Sequence, residues 1–379
     1  MISSTSISRP DGWPFGRLTD RIRSRTSPEA EDYKQATSGS KFVFSCIYRA
    51  STADLCDIGR GVTIDLLPDD LLLEIFDHYV AEADENDEYE EWQILVHVCQ
   101  KWRYVVFQSP LRLNLRILCS ARTPVREKLA SCSWPPLPII IQQYALPLPM
   151  AIQQYDALSR GTTSKCLEDN IMAALGHNDR VCKISLALPS LLVESVFAAM
   201  QKTFMSLECL FIEAERYPGP VLPDSFLGGS APHLRHLGLS HIRFPFPVLQ
   251  KLLLSTANLV TLWLISVPHS AYISPEAMVT CLLALTSLEE LHIGFEDPRS
   301  CPSRVGQYSL PTRTVLPHLT ELKFIGFSRY LEDLVARIDT PLLDSLDITF
   351  LPQFRFDTPQ LVQFIGRTPK LKGFDEASL

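Results

Sequence analysis

Seven short segments of the form L-x-x-L-x-L, with Val, Ile or Phe sometimes standing in for Leu, recur through the second half of this chain. No other feature limits its possible folds so strongly. They are V-C-K-I-S-L from Val181, L-E-C-L-F-I from Leu207, L-R-H-L-G-L from Leu234, L-V-T-L-W-L from Leu259, L-E-E-L-H-I from Leu288, L-T-E-L-K-F from Leu319 and L-D-S-L-D-I from Leu343. Their starts lie 24 to 31 residues apart. One copy is too small to bury its own aliphatic side chains, whereas stacked copies share a continuous core. Each unit is therefore expected to supply a short strand and a return segment. Residues 190–205, 247–256, 275–286, 328–338 and 359–367 carry apolar residues at helical spacing, several opening near a first-turn proline (Pro247, Pro275, Pro359). The run Trp134 to Ile141 reads as an opening strand, with Leu167 to Leu175 its returning helix. Between them, Gln142 to Gly161 lacks the leucine frame and reads as an insertion. The final P-K-L-K-G-F-D-E-A-S-L reads as the start of an eighth strand without a polar capping repeat.

A second pattern lies upstream. Pro68 suits the first turn of a helix, where its missing N–H would be unpaired in any case, and Asp69 and Asp70 place negative charge at the positive end of the helix dipole. Leu71, Leu72, Ile75, Phe76, Tyr79 and Val80 then recur on one broad helical face. A second set, Leu95, Val98, Trp102, Val105 and Val106, keeps the same rhythm until Ser109-Pro110 stops it. The two stripes are expected to bury each other. Between them lies an insert with seven carboxylates from Glu82 to Glu91, whose mutual repulsion predicts a solvated loop.

These residues resemble the F-box. The family opens with Leu-Pro, an acidic residue and paired aliphatics, matched by Leu67, Pro68, Asp70, Leu71, Leu72 and Ile75, and closes with Val-Cys-x-x-Trp, matched by Val98, Cys99 and Trp102. Asp70 replaces the usual Glu, and the stretch from Pro68 to Trp102 is longer than the family's. The resemblance implies docking on the small adaptor subunit of an SCF-type (cullin–RING) ubiquitin ligase through Leu67, Pro68, Leu71, Leu72, Ile75, Leu95, Val98, Cys99 and Trp102. The downstream period matches the leucine-rich repeat, although the Asn that often follows its strand is replaced by residues such as Pro189 and Ile242. Together the two parts look like a fungal group of F-box proteins with leucine-rich repeats.

The implied fold is α/β: a small helical module, then a leucine-rich-repeat solenoid with parallel strands on its concave side and helices outside. Expected domains are an N-terminal tail at 1–61 without stable order, an F-box-like module at 62–118, a linker at 119–136 and the repeats at 137–379. Strand alternation turns the residues between the leucines toward the concave surface. Phe211, Glu213, His236, Trp263, Glu290, His292, Lys323 and Asp347 are the candidate contacts for a protein substrate. Phe211 and Trp263 stand out as aromatic anchors, though Trp263 could instead pack beneath a loop or terminal segment.

Composition narrows the function classes. A net charge of −8 disfavours a general nucleic-acid binder, which needs a basic footprint. Ten cysteines without a C-x-x-C pair, several inside apolar patterns, fit reduced thiols of the cytoplasm or nucleus. No apolar run is long enough to span a bilayer, and the arginine-containing first 40 residues lack the apolar core of a secretory signal. Neither a G-x-S-x-G elbow nor a phosphate-cradling glycine motif is present. No catalytic residue, cofactor or metal is therefore expected. His233, His236 and His241 are separated by leucines of one strand and read as surface histidines.

Overall fold

The computed structural model describes residues 67–81, 92–110, 112–120, 125–130, 137–143, 162–215, 219–296, 313–353 and 358–373. The tail expected at 1–61, the acidic insert and the insertion after Gln143 lie outside the described residues. Contacts divide the chain into one unit ending at Leu113 and another beginning at Asn114.

The first unit is helical. Its helix α1 spans Asp69–Ala81, and the Leu72 N–H donates to Pro68 O (3.1 Å) in the opening turn. The apolar rhythm downstream, expected as one helix, is split into α2 (Trp92–Val98) and α3 (Gln100–Gln108). Cys99 makes the break. Its backbone is extended, and its sulfur accepts a hydrogen bond from the Trp102 N–H at 3.4 Å, so the thiol caps α3. Leu72, Phe76, Leu95, Trp102, Val105 and Val106 form the buried centre, with the Phe76 and Trp102 rings 4.7 Å apart. Burying each large side chain contributes about 1.5–3 kcal/mol, which holds three short helices together.

The second unit is built on parallel pairing. Its strands are β1 (Ile117–Cys119), β2 (Ile139–Gln143), β3 (Val181–Leu188), β4 (Cys209–Ala214), β5 (His236–Ser240), β6 (Thr261–Val267), β7 (Glu290–Phe295), β8 (Thr314–Val315), β9 (Glu321–Gly326), β10 (Ile338–Asp339) and β11 (Ser345–Phe350). Nine of them form one sheet in chain order, β1-β2-β3-β4-β5-β6-β7-β9-β11, while β8 and β10 form a separate pair. Parallel neighbours need a crossover between them. It is supplied by α4 (Val125–Ala130), α5 (Thr162–Leu175), α6 (Ser190–Ala199), α7 (Phe246–Leu254), α8 (Pro275–Leu282) and α9 (Ser328–Val335), with α10 (Pro359–Arg367) following β11. Between β4 and β5 a tight turn at Phe226–Gly229 replaces a helix.

Register explains the recurring leucines. Ile184, Leu210, Leu237, Leu262, Leu291, Leu322 and Leu346 pair successively across the sheet, so one position of every repeat forms a single row. All but Leu346 are fully buried. The helices bury apolar faces of their own, as with Val193, Val196 and Phe197 of α6 and Leu249, Leu252 and Leu253 of α7.

Three expectations change. A strand at Ile117–Cys119 precedes the expected opening one, so the sheet unit begins at Asn114 and takes in residues assigned to the linker and the helical module. Strand β2 starts at Ile139, after Pro138, which cannot donate to a ladder, while positions 134–136 of the expected strand lie outside the described residues. Finally, Pro369–Gly373 forms a 3-10 turn instead of an eighth strand, with Leu371 buried.

Candidate functional site

Two surfaces hold the residues singled out from sequence. On the helical unit, the expected docking set separates into two groups. Leu72, Leu95 and Trp102 are buried and support the helices, so they offer no surface to a partner. Pro68, Leu71 and Val98 are exposed, while Leu67, Ile75 and Cys99 are half-buried. Val98 was expected on the inward face; the turn at Cys99 rotates it out, and it is 53 % exposed. Ile94 and Tyr104, not anticipated, are also exposed large side chains. Ile94 lies four residues before Val98 on α2, so the two share one helix face. Lys101 donates to Leu67 O at 2.7 Å and lies 3.6 Å from Asp69, which brings the start of α3 beside the start of α1.

On the sheet, the side opposite the leucine row carries two further rows set by register. Lys183, Cys209, His236, Thr261, Glu290, Glu321 and Ser345 form one, and Ser185, Phe211, Gly238, Trp263, His292, Lys323 and Asp347 the other. Every sheet residue of the candidate set except Glu213 falls in these rows, and Glu213 pairs with Ser240 in the row beyond. Their exposure differs from expectation. Phe211, Trp263, Glu290 and His292 are buried, whereas Glu213, His236 and Lys323 are half-buried and Asp347 is exposed.

Side-chain size along the second row accounts for the packing. A Cβ at Gly238 would lie 2.1 Å from Phe211 Cδ1, so only glycine leaves room for that ring to cross toward Trp263, 5.2 Å away. Trp263 in turn stacks flat on the His292 imidazole, centroids 4.8 Å apart and planes 2° from parallel. The rings cover one another. His292 Nε2 lies 3.2 Å from Glu321 Oε1, and Lys323 Nζ lies 2.7 Å from the same oxygen. Glu321 thus joins Glu290 and His292 to make a buried polar cluster that was not assigned from sequence. Its signal was present: L-E-E-L and L-T-E-L place Glu at the same position of successive repeats.

His236 bonds Thr261 Oγ1 through Nδ1 at 3.1 Å. Burial, with Arg235 and Lys183 nearby, lowers its pKa to about 4, so it is neutral at pH 7. Burial pushes the Cys209 thiol up to about 12 and the Cys281 thiol to about 11, which leaves both protonated and poor nucleophiles. Along the strand starts runs a groove of about 920 Å³, lined by Arg180, Glu208, His233, Arg235, Glu289 and His318 among others. Its charges alternate in sign. No protein-family model matches this chain, and a search of curated proteins also returned no match. Among the described residues no helix is long and apolar enough to cross a membrane.

Proposed function

We propose that this protein is a non-catalytic substrate receptor of an SCF-type ubiquitin ligase. The F-box-like helical unit docks the small adaptor subunit, and the parallel-sheet unit, a leucine-rich-repeat solenoid, holds a protein for ubiquitin transfer by other subunits in the cytoplasm or nucleus. The observation that carries this proposal is the open apolar surface of the helical unit: Leu71, Ile94, Val98 and Tyr104 are each at least half exposed on helices whose Leu72, Phe76 and Trp102 are sealed. Exposed large apolar side chains on a helical unit that opens with Leu-Pro suit a protein-binding face. The in-register leucine rows support the repeat assignment, because one core position per 24 to 31 residues is the hallmark of stacked units. Holding a substrate lysine near the charged carrier raises its effective concentration, and no catalytic group of the receptor is then required.

The alternative is an interaction scaffold using the same sheet unit without a ligase. A pull-down of wild type beside the double variant Leu71→Glu, Val98→Glu separates them, since both positions are exposed and the change is expected to leave the fold intact. Adaptor should be recovered with wild type and lost with the variant. Equal recovery from both, or none from either, rejects the ligase assignment and leaves the scaffold.

A further inference from the structure

We propose that Glu290, His292 and Glu321 form a binding site for a divalent cation of the zinc type, joining β7 to β9 on the face away from the leucine core. The three side chains are buried to 6, 5 and 5 % exposure, and one ligand atom from each lies within 4.8 Å of the others. Register makes the arrangement rigid. Glu290 and Glu321 are direct partners on neighbouring parallel strands, and His292 stands two residues from Glu290 on the same face. The imidazole is oriented before any ion arrives, because its ring lies flat on Trp263 while Nε2 faces the Glu321 carboxylate. Supporting interactions of this kind set ligand direction at metal sites.

The donor set selects the ion. One imidazole nitrogen and two carboxylates suit a borderline cation that accepts three protein ligands and one further group, whereas calcium and magnesium require more oxygens. Bonds of about 2.0–2.2 Å would draw the three donor atoms to about 3.4 Å apart, within reach of side-chain rotation. Carboxylates on directly paired residues repel, and an ion bound to both turns that repulsion into attraction. Lys323 contends with the ion for Glu321, but its side chain is 37 % exposed and can turn outward. The site is independent of the ligase assignment.

The test is titration of the purified, chelator-stripped full chain with Zn²⁺ and Co²⁺, followed by calorimetry, cobalt absorption and thermal melting. One ion should bind per chain, raise Tm with metal concentration and change a fluorescence signal that Trp263→Phe removes. Affinity should fall by at least about tenfold in Glu290→Gln and Glu321→Gln, and binding at this site should vanish in His292→Ala. Lys323→Met should bind more tightly. If His292→Ala fails to fold, the near-isosteric Glu290→Gln carries the test. Absence of one-to-one binding, unchanged affinity in Glu290→Gln, or affinity in Lys323→Met no tighter than wild type would overturn the proposal.

Discussion

The helical unit and the sheet unit treat their large apolar side chains in opposite ways. The helices seal Phe76 and Trp102 yet leave Leu71, Ile94, Val98 and Tyr104 in solvent, whereas the sheet buries Phe211 and Trp263 on the face that alternation turns away from its leucine core. Size explains part of this. Among the described residues of the first unit three short helices enclose little volume, so aliphatics remain outside even when the centre is well packed. The sheet repeats its geometry strand after strand, and aromatic rings one register step apart cover each other. The exposed side chains of the small unit are the ones we propose for partner contact, while the buried aromatic row of the large unit packs within the sheet's own face.

Breaking the centre of the helical unit should have the largest effect. Trp102→Ala removes a buried ring packed on Phe76 and should cost about 3–5 kcal/mol, read as a lowered urea midpoint with loss of α1–α3 helicity by circular dichroism. In the sheet unit the matching test is acid. The unfolded chain takes up a proton at His236 near pH 6.5, but the folded chain resists it until about pH 4. Stability from this group is therefore complete above pH 6.5 and falls as pH drops to about 4, by at most about 3 kcal/mol. His236→Gln should flatten that slope in urea titrations at stepped pH.

A smaller effect is expected at Gly238. Adding one methyl there drives Phe211 away from Trp263 and should cost about 1–3 kcal/mol, with a changed near-ultraviolet aromatic signal. Smallest of all is Leu71→Ala. Its half-exposed side chain should change stability by no more than about 0.5 kcal/mol, while weakening adaptor capture in a pull-down. A large loss of stability here would show that Leu71 is a support like Trp102.

Legibility from sequence followed the same division. The in-register leucine row, the helices opening near Pro275 and Pro359, and the facing set from Lys183 to Asp347 all follow from local periodicity. The break at Cys99 did not, because Val98 and Trp102 satisfy helical spacing whether or not a turn separates them. The strand at Ile117–Cys119 escaped notice because three residues carry too little pattern. Burial of Trp263 is one of two readings that the sequence leaves open, with a loop or terminal segment as the expected cover. The rings against it, Phe211 and His292, and the space left at Gly238 come from three other repeats.

Spacing along the chain determined by itself that short strands would recur, which side of each would be leucine, and that two helical stripes near residues 70 and 100 would meet. Those are local consequences of a period near two for strands and 3.6 for helices. Only the tertiary structure decided which side chains stayed in water and which charged groups met. Parallel register brings Glu290, His292 and Glu321 together across 31 positions, and the turn at Cys99 moves Val98 outward. Contact across strands depends on neighbours distant in the chain, and that information is absent from any single repeat.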